Sequence, residues 1–210
     1  MIIAIINAFN LIDGVDGLAG SVGVIVAFVF GFWFYKVDRI ELAVVSFAAI
    51  GSIVGFLYYN YTPAKIFMGD TGSLLLGLVA SVLAISFLEF NQELYNSHFH
   101  ISSGPVFAIA ILIIPIFDTL RVMVLRIFRM QSPFNPDRTH IHHLLLVIGF
   151  NHIQVTIFLI FVNVIFIMIA YVFRSLNINL LLFILVLCAL IMTGVLFYIS
   201  KFRKGVLRQN

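Results

Sequence analysis

The chain contains six apolar segments, each about as long as a helix that crosses a bilayer. A spanning helix needs about 20 mostly apolar residues. The segments cover residues 18–35, 42–61, 72–90, 105–127, 153–173 and 178–200. Hydrophobic residues make up 62% of the chain and charged residues only 10%, against about 25% charged in soluble domains. We therefore predict an all-α integral membrane protein, a polytopic helical bundle that forms a single domain over residues 1–210.

The distribution of basic residues predicts the orientation of this bundle. Six alternating spans place the polar loops near residues 7–17, 62–73 and 128–152 on one face, together with the C-terminal tail. Nine of the 12 Lys and Arg residues lie on or near that face: Lys65, Arg121, Arg126, Arg129, Arg138, Lys201, Arg203, Lys204 and Arg208. Lys and Arg concentrate in the cytoplasmic loops of membrane proteins. The face that carries the polar loops is therefore predicted to be cytoplasmic.

The first polar motif precedes the first span. Asn7, Asn10, Asp13 and Asp16 follow one another at three-residue spacing. In a helix, Asn7, Asn10 and Asp13 would occupy neighbouring positions on one face, and the glycines that follow the two aspartates allow a sharp turn. Carboxylates and amides that converge in this way suit a hard cation and the phosphates that it carries.

A second acidic motif, at residues 67–73, leads into the third span. Asp70 lies between two glycines and could hold a divalent cation, with an ordinary helix cap as the alternative. Phe67 suits an interfacial anchor or an aromatic ring that stacks on a flat base. Thr71 and Ser73 are predicted to cap the following helix, whose N-terminal amides favour an anion.

A histidine cluster lies in the loop near residues 128–152. Its polar residues are Asp137, Arg138, His140, His142 and His143. No cysteine and no His-Glu-x-x-His pattern accompanies them, which argues against zinc. Arg and His side chains in such a loop suit a diphosphate, with a basic loop and incidental histidines as the alternative. The other histidines, His98, His100 and His152, receive no site role.

Asp118 and Arg121 lie one turn apart near the end of the fourth span. Charges within a membrane segment are functional by default, but a local i,i+3 pair that satisfies itself explains them equally well. Asp118 is therefore a candidate for a residue that supports the site without contacting substrate.

Together the three motifs resemble those of the polyprenyl-phosphate N-acetylhexosamine-1-phosphate transferases, glycosyltransferase family 4. This family includes undecaprenyl-phosphate GlcNAc-1-phosphate transferases and the phospho-MurNAc-pentapeptide translocase. The resemblance implies transfer of a sugar-1-phosphate from a UDP-sugar to undecaprenyl phosphate, with release of UMP. GlcNAc-1-phosphate is the group that the resemblance favours. Such a reaction takes place at the cytoplasmic side of the bacterial plasma membrane and initiates cell-envelope polysaccharides such as peptidoglycan and lipopolysaccharide.

The resemblance also assigns roles to single residues. Asp70 and Asp13 resemble ligands of Mg²⁺, with Mn²⁺ as an alternative, and Phe67 resembles the aromatic residue that stacks on uracil. The catalytic set that it implies is Asp13, Asp16, Asp70, His142 and His143. The substrate-binding set is Asn7, Asn10, Phe67, Arg138 and His140. The expected partners are a UDP-N-acetylhexosamine, undecaprenyl phosphate and the lipid bilayer, with a homodimer left open and no nucleic acid.

The family's pair of adjacent aspartates, ahead of the Asn/Asp motif, has no counterpart in this sequence. The expectation is therefore that the chain is the C-terminal portion of a longer enzyme and is incomplete for catalysis alone. A membrane transporter and a non-catalytic partner subunit are the alternatives. Transporters place polar residues near the middle of the bilayer, whereas the acids here cluster near the ends of the spans, which favours an enzyme.

Overall fold

The computed structural model describes residues 1–128, 130, 132 and 140–207, which are helical apart from short connections. In that part of the chain the helices are α1 (Ile2–Ile12), α2 (Leu18–Lys36), α3 (Ile40–Asn60), α4 (Gly69–Glu93), α5 (Gly104–Ile111), α6 (Ile113–Phe128), α7 (Ile141–Ile148), α8 (His152–Val172) and α9 (Ile178–Leu207). Five of them, α2, α3, α4, α8 and α9, are long and apolar enough to cross a membrane, and the bent pair α5–α6 makes a sixth candidate. The prediction of an all-α, multi-pass membrane protein is confirmed.

The fourth predicted span is not one straight helix, because the chain bends by 84° between α5 and α6. Pro115 has no N–H to donate to the carbonyl of Ile111, four residues earlier. The Nδ2 of Asn163 on α8 donates instead to the carbonyls of Ala110 and Ile111, at 3.3 and 3.2 Å. Since Asn163 is fully buried, α8 satisfies the backbone groups that the bend frees inside the bundle.

Asn163→Leu is expected to lower the free energy of unfolding by about 1–3 kcal/mol, because two buried carbonyls lose their donor. The loss should appear as a lower midpoint of thermal unfolding for the chain in detergent. Asn179→Leu makes the same chemical change at an exposed position and should leave the midpoint nearly unchanged. Equal midpoints for the wild type and Asn163→Leu would show that the bend does not depend on this amide.

Close helix packing brings the first two motifs together. Gly77 on α4 lies against the backbone of α1, where a Cβ would approach the Cα of Ile6 to 2.6 Å. Small residues let membrane helices pack at such short range. Towards the other end of the bundle, the rings of Trp33 and Phe87 join α2 to α4 with centroids 4.7 Å apart. The pairing of α1 with α4 therefore positions the acidic motifs next to each other.

The start of α4 differs from its prediction. The helix begins at Gly69, which has a φ of +63°, rather than at residue 72. Thr71 and Ser73 consequently lie inside the first turn, and no side chain caps this helix. The Oγ of Ser73 donates back to the carbonyl of Gly69 at 3.1 Å. The predicted capping role of Thr71 and Ser73 is wrong, because the turn at Gly69 starts the helix earlier.

Candidate active site

The first two motifs meet where the end of α1 approaches the start of α4. The Nδ2 of Asn10 donates to the Oδ1 of Asp70 and to the Oγ of Ser73, both at 3.0 Å. Asp13 directly follows α1, and its carboxylate is close enough to Asp70 for the two charges to repel. Ser73 is fully buried, whereas Asp70 is exposed. The amide of Asn10 therefore links the buried hydroxyl of Ser73 to the accessible carboxylate of Asp70.

The electrostatics of this junction favour a bound cation. Burial, together with the negative charge of Asp70, raises the pKa of Asp13 to about 6. A cation beside both carboxylates would relieve their repulsion and replace lost hydration. Within the described residues, no three His, Cys, Asp or Glu side chains form a metal cage. Mg²⁺ does not require one, since it commonly uses one or two carboxylates with substrate phosphates and water.

Asp16 is held by residues from two other parts of the chain. The Oγ1 of Thr62 donates to its Oδ2 at 3.1 Å, and the Nδ1 of His152 lies 3.3 Å from the same oxygen. The Oγ1 of Thr156 donates to the main-chain carbonyl of Asp16 at 3.0 Å. The sequence alone places His152 at the start of a helix and gives it no role in the site. In the structure it is the first residue of α8 and also a neighbour of Asp16, a contact that the sequence does not predict.

A glycine turn connects the first motif to the segment before α4. Gly17 has a φ of +76°, and its N–H donates to the Oδ1 of Asn60 at 2.8 Å. The Nδ2 of Asn60 donates to the carbonyl of Ile66, also at 2.8 Å. Asn60 therefore ties the two acidic motifs together. Sequence reasoning missed this residue, although an asparagine at the end of an apolar span is a signal that could have found it.

Gly17→Ala is expected to destabilise the fold by about 2 kcal/mol or more, because a left-handed backbone costs an L-residue roughly 1–2 kcal/mol. The new methyl group would also meet the Tyr61 ring at 2.7 Å. Gly69→Ala keeps the positive φ without a neighbour within 4 Å and should cost about 1 kcal/mol. Gly51→Ala, which has neither feature, should be neutral or stabilising. The midpoints of thermal unfolding of the three variants measure these losses. Equal midpoints for Gly17→Ala and Gly51→Ala would contradict the expected destabilisation at Gly17.

Asp118 on α6 organises the start of the histidine motif. Its Oδ1 accepts hydrogen bonds from the Nη2 of Arg121 at 2.9 Å and from the N–H of Ile141 at 3.0 Å. Its Oδ2 lies 2.9 Å from the Nδ1 of His140. Asp118 is only 2% exposed, so these contacts replace water around the carboxylate. Asp118 therefore contacts the Nδ1 of His140, and the other ring nitrogen of His140 is Nε2.

His142 connects the histidine motif to the first motif. A Cβ at Gly14 would lie 2.8 Å from the Nε2 of His142, so the glycine allows the ring to approach the turn. Burial, together with the neighbouring charge of His143, lowers the pKa of His142 to about 4. His142 is therefore neutral at pH 7. It offers a hydrogen-bond donor or acceptor to a ligand rather than a positive charge.

A cavity of about 200 Å³ opens beside the turn that follows α1. It is lined by Asp13, Gly14, Val15, Asp16, Asn60, Phe67, Met68 and His152. Phe67 is 78% exposed, which leaves its ring free to stack on a ligand. Asn7 is exposed one turn before Asn10 and does not belong to the described lining of this cavity. Arg138, the remaining predicted site residue, lies outside the described residues, as does Asp137.

Acidic, amide and histidine side chains gathered at one end of a multi-pass helical bundle define a membrane protein with a polar site at that end. The chain belongs to glycosyl transferase family 4, whose profile matches residues 1–88. The match contains both acidic motifs and the turn at Gly17 that joins them. The histidine motif lies beyond it.

Several bacterial proteins are similar over most of the chain. A "probable undecaprenyl-phosphate N-acetylglucosaminyl 1-phosphate transferase" of Bacillus subtilis (strain 168) is 38% identical over 191 residues, which cover 91% of this chain and 51% of the relative. A decaprenyl-phosphate N-acetylglucosaminephosphotransferase of Mycobacterium leprae (strain TN) is 37% identical, with coverages of 74% and 42%. An undecaprenyl-phosphate alpha-N-acetylglucosaminyl 1-phosphate transferase of Yersinia pestis is 36% identical, with coverages of 72% and 40%. The matched segments span about half the length of these relatives or less.

Proposed function

We propose that this chain forms the nucleotide-sugar site of an enzyme that transfers GlcNAc-1-phosphate from UDP-GlcNAc to undecaprenyl phosphate and releases UMP. The observation that carries the proposal is the junction of Asn10, Asp13 and Asp70 beside the histidine motif. The names of the relatives support it. The reaction would take place at the cytoplasmic face of a bacterial plasma membrane and initiate cell-envelope polysaccharide synthesis. The excess of Lys and Arg at the motif end supports this orientation.

Asp13 and Asp70 are the residues that would hold Mg²⁺, with Mn²⁺ as the alternative. They fit because two repelling carboxylates share one junction and because hard divalent cations prefer oxygen ligands. Asn10 orients the Asp70 carboxylate through its 3.0 Å hydrogen bond. The bound cation supplies positive charge next to the phosphate oxygens.

The other proposed residues surround the nucleotide sugar. Phe67 offers an exposed ring to uracil. The remaining substrate-binding residues are Asn7, Asn10, Arg138 and His140. Asp16, His142 and His143 complete the catalytic set with the two metal-binding aspartates. Asp16 is fixed by Thr62 before any ligand arrives, and such preorganised groups are the most effective in stabilising a transition state.

In the proposed reaction, an oxygen of undecaprenyl phosphate attacks the phosphorus that carries GlcNAc. One P–O bond forms while the P–O bond to UMP breaks, so charge and atoms balance without a covalent enzyme intermediate. Phosphoryl transfer of this kind needs accurate positioning and stabilisation of phosphate charge. The neutral ring of His142 suits a hydrogen bond to a phosphate oxygen or a sugar hydroxyl.

Nucleotide-sugar binding to the purified chain in detergent tests this proposal. UDP-GlcNAc with Mg²⁺ should raise the midpoint of thermal unfolding, because a ligand that binds only the folded state stabilises it. EDTA should abolish the increase, and GDP-mannose, which has a similar charge but another base, should not cause it. No increase with UDP-GlcNAc and Mg²⁺ would contradict the proposal. Uptake of a solute by vesicles that contain the chain would favour the transporter instead.

Mg²⁺ binding is expected to weaken as the pH falls through about 6. The folded chain raises the pKa of Asp13 to about 6, so below that pH the cation must displace a proton. We expect an apparent affinity about tenfold weaker at pH 5 than at pH 7.5, measured from Mg²⁺ titrations of the unfolding midpoint. Asp13→Asn should remove this dependence, and an unchanged pH profile in the variant would contradict the assignment.

Without the cation, the same titration has the opposite effect on stability. The folded chain binds the Asp13 proton more tightly than the unfolded chain does, because the folded pKa is the higher one. This contribution to the free energy of unfolding is fully present below the ordinary pKa of 3.8 and is lost as the pH rises to about 6. EDTA-treated wild type should therefore lose stability over this range relative to Asp13→Asn.

A further inference from the structure

A second cavity lies at the opposite end of the bundle. It has a volume of about 410 Å³ and lies between α2, α5, α8 and the segment before α5. Helix α2 begins next to Gly17 of the candidate active site and ends at Lys36, which lines this cavity. The 19 residues of α2 correspond to a separation of about 28 Å. The second cavity is therefore distinct from the candidate active site.

Hydrogen bonds from the buried residues Trp33 and Ser103 position the segments around this cavity. The Nε1 of Trp33 donates to the carbonyl of Phe99 at 3.3 Å, which holds the segment before α5 against α2. The Oγ of Ser103 lies 3.0 and 3.1 Å from the carbonyl oxygens of Arg174 and Leu176. Trp33 and Ser103 are 8% and 1% exposed. The cavity is therefore shaped by the fold rather than by mobile surface side chains.

Two cations, Lys36 and Arg174, line the cavity. The Nζ of Lys36 lies 5.4 Å from the centroid of the Phe32 ring, and the guanidinium of Arg174 lies 4.3 Å from that of Tyr171. Within the described residues, neither Lys36 nor Arg174 forms an ion pair. Arg39 on the same side of the bundle differs, because it pairs with Glu93 at 2.6 Å. The positive charge in the cavity is therefore available to an anionic ligand.

The same cavity has an apolar wall that reaches the outer surface of the bundle. Phe28 and Phe32 stack with their centroids 6.2 Å apart, and they are 54% and 48% exposed. Met168 on α8 is also 54% exposed. In a spanning helix such side chains contact the acyl chains of lipids. Two available cations next to a wall of this kind suit a ligand that is both anionic and amphiphilic.

We propose that this cavity binds an anionic glycerophospholipid, with the headgroup phosphate at Lys36 and Arg174 and an acyl chain along Phe28 and Phe32. Basic pockets between membrane helices recognise anionic lipid headgroups through the same chemistry. A zwitterionic lipid carries its own positive charge and balances the two cations less well. The site is independent of the proposed transferase reaction.

The fluorescence of Trp33 tests this proposal, because Trp33 is the only tryptophan of the chain and lines the cavity. The chain is reconstituted in dioleoylphosphatidylcholine vesicles in which a fraction of the lipid is brominated phosphatidylglycerol or brominated phosphatidylcholine. Bromine on an acyl chain quenches indole fluorescence only at short range. Quenching should show an apparent preference of about thirtyfold for phosphatidylglycerol, as expected for two cations near an anionic lipid.

Variants and a soluble competitor identify the source of this preference. The double substitution Lys36→Gln and Arg174→Gln should abolish it, whereas Arg39→Gln, which removes one positive charge on the same side, should retain it. Equal quenching of the wild-type chain by the two brominated lipids would overturn the proposal, whatever the variants do. A preference that persists in the double variant would also overturn it. Relief of quenching by soluble glycerol phosphate would identify a free phosphate as the ligand and refute the lipid site.

Discussion

Asp70→Asn should weaken the Mg²⁺-dependent binding of UDP-GlcNAc by about 100-fold or more, since a carboxylate ligand to the metal contributes several kcal/mol. The substitution preserves the side-chain shape and an oxygen that can accept the hydrogen bond from Asn10, which is 3.0 Å long in the wild type. It removes only the negative charge. Titration of the unfolding midpoint with UDP-GlcNAc, in the presence and absence of Mg²⁺, measures the change.

Two controls separate loss of the metal from loss of the fold. Asp38→Asn makes the same change at an exposed residue at the other end of α2, with a φ of +61° that asparagine tolerates; it should not alter nucleotide binding. Because Asp70 is exposed, the midpoint of Asp70→Asn without ligand should change little, corresponding to about 0.5 kcal/mol or less. Nearly normal affinity of Asp70→Asn in Mg²⁺ would remove this residue from the proposed metal site.

Asp118→Ala should have the largest effect on stability, a decrease of about 3–5 kcal/mol in the free energy of unfolding. The substitution removes the acceptor that Arg121, His140 and the N–H of Ile141 share. Because the carboxylate is almost completely buried, water does not replace it without a further rearrangement. The unfolding midpoint should fall, and hydrogen exchange of the backbone amides in α7 should accelerate.

An exposed ion pair provides the matched comparison for Asp118. Glu93→Gln removes the negative charge from the 2.6 Å contact with Arg39, whose side chain is 43% exposed, and should cost less than about 1 kcal/mol. Asp118→Asn keeps one acceptor oxygen, so its loss in the free energy of unfolding should lie between those of Asp118→Ala and Glu93→Gln. Equally small losses for Asp118→Ala and Glu93→Gln would show that the buried carboxylate does not organise the histidine motif.

The apolar segments predict the helices because length and hydropathy are local properties of the chain. The bend between α5 and α6 is only partly predictable from the local sequence. Pro115 marks a missing donor, but the chain tolerates the bend because Asn163, on another helix, supplies a replacement. Pairings between distant helices of this kind depend on packing, which no single segment encodes.

The site shows the same division between local and distant information. The spacing of Asn10 and Asp13 predicts that they lie close together, and the resemblance places Asp70 with them. By contrast, His152 reaches Asp16 only because α8 packs beside the first motif. The protonation state of His142 also follows from burial, and the degree of burial becomes known only when the fold is known.

The hydrogen bond from Thr156 to the backbone of Asp16 joins residues that are 140 positions apart. A ribosome therefore synthesises the first motif long before the helix that holds it. Until α8 has been inserted into the bilayer, Asp16 has neither this bond nor its contact with His152. A translation product that ends before residue 152 therefore contains the motif with the hydrogen bond from Thr62 but without the contacts that α8 provides.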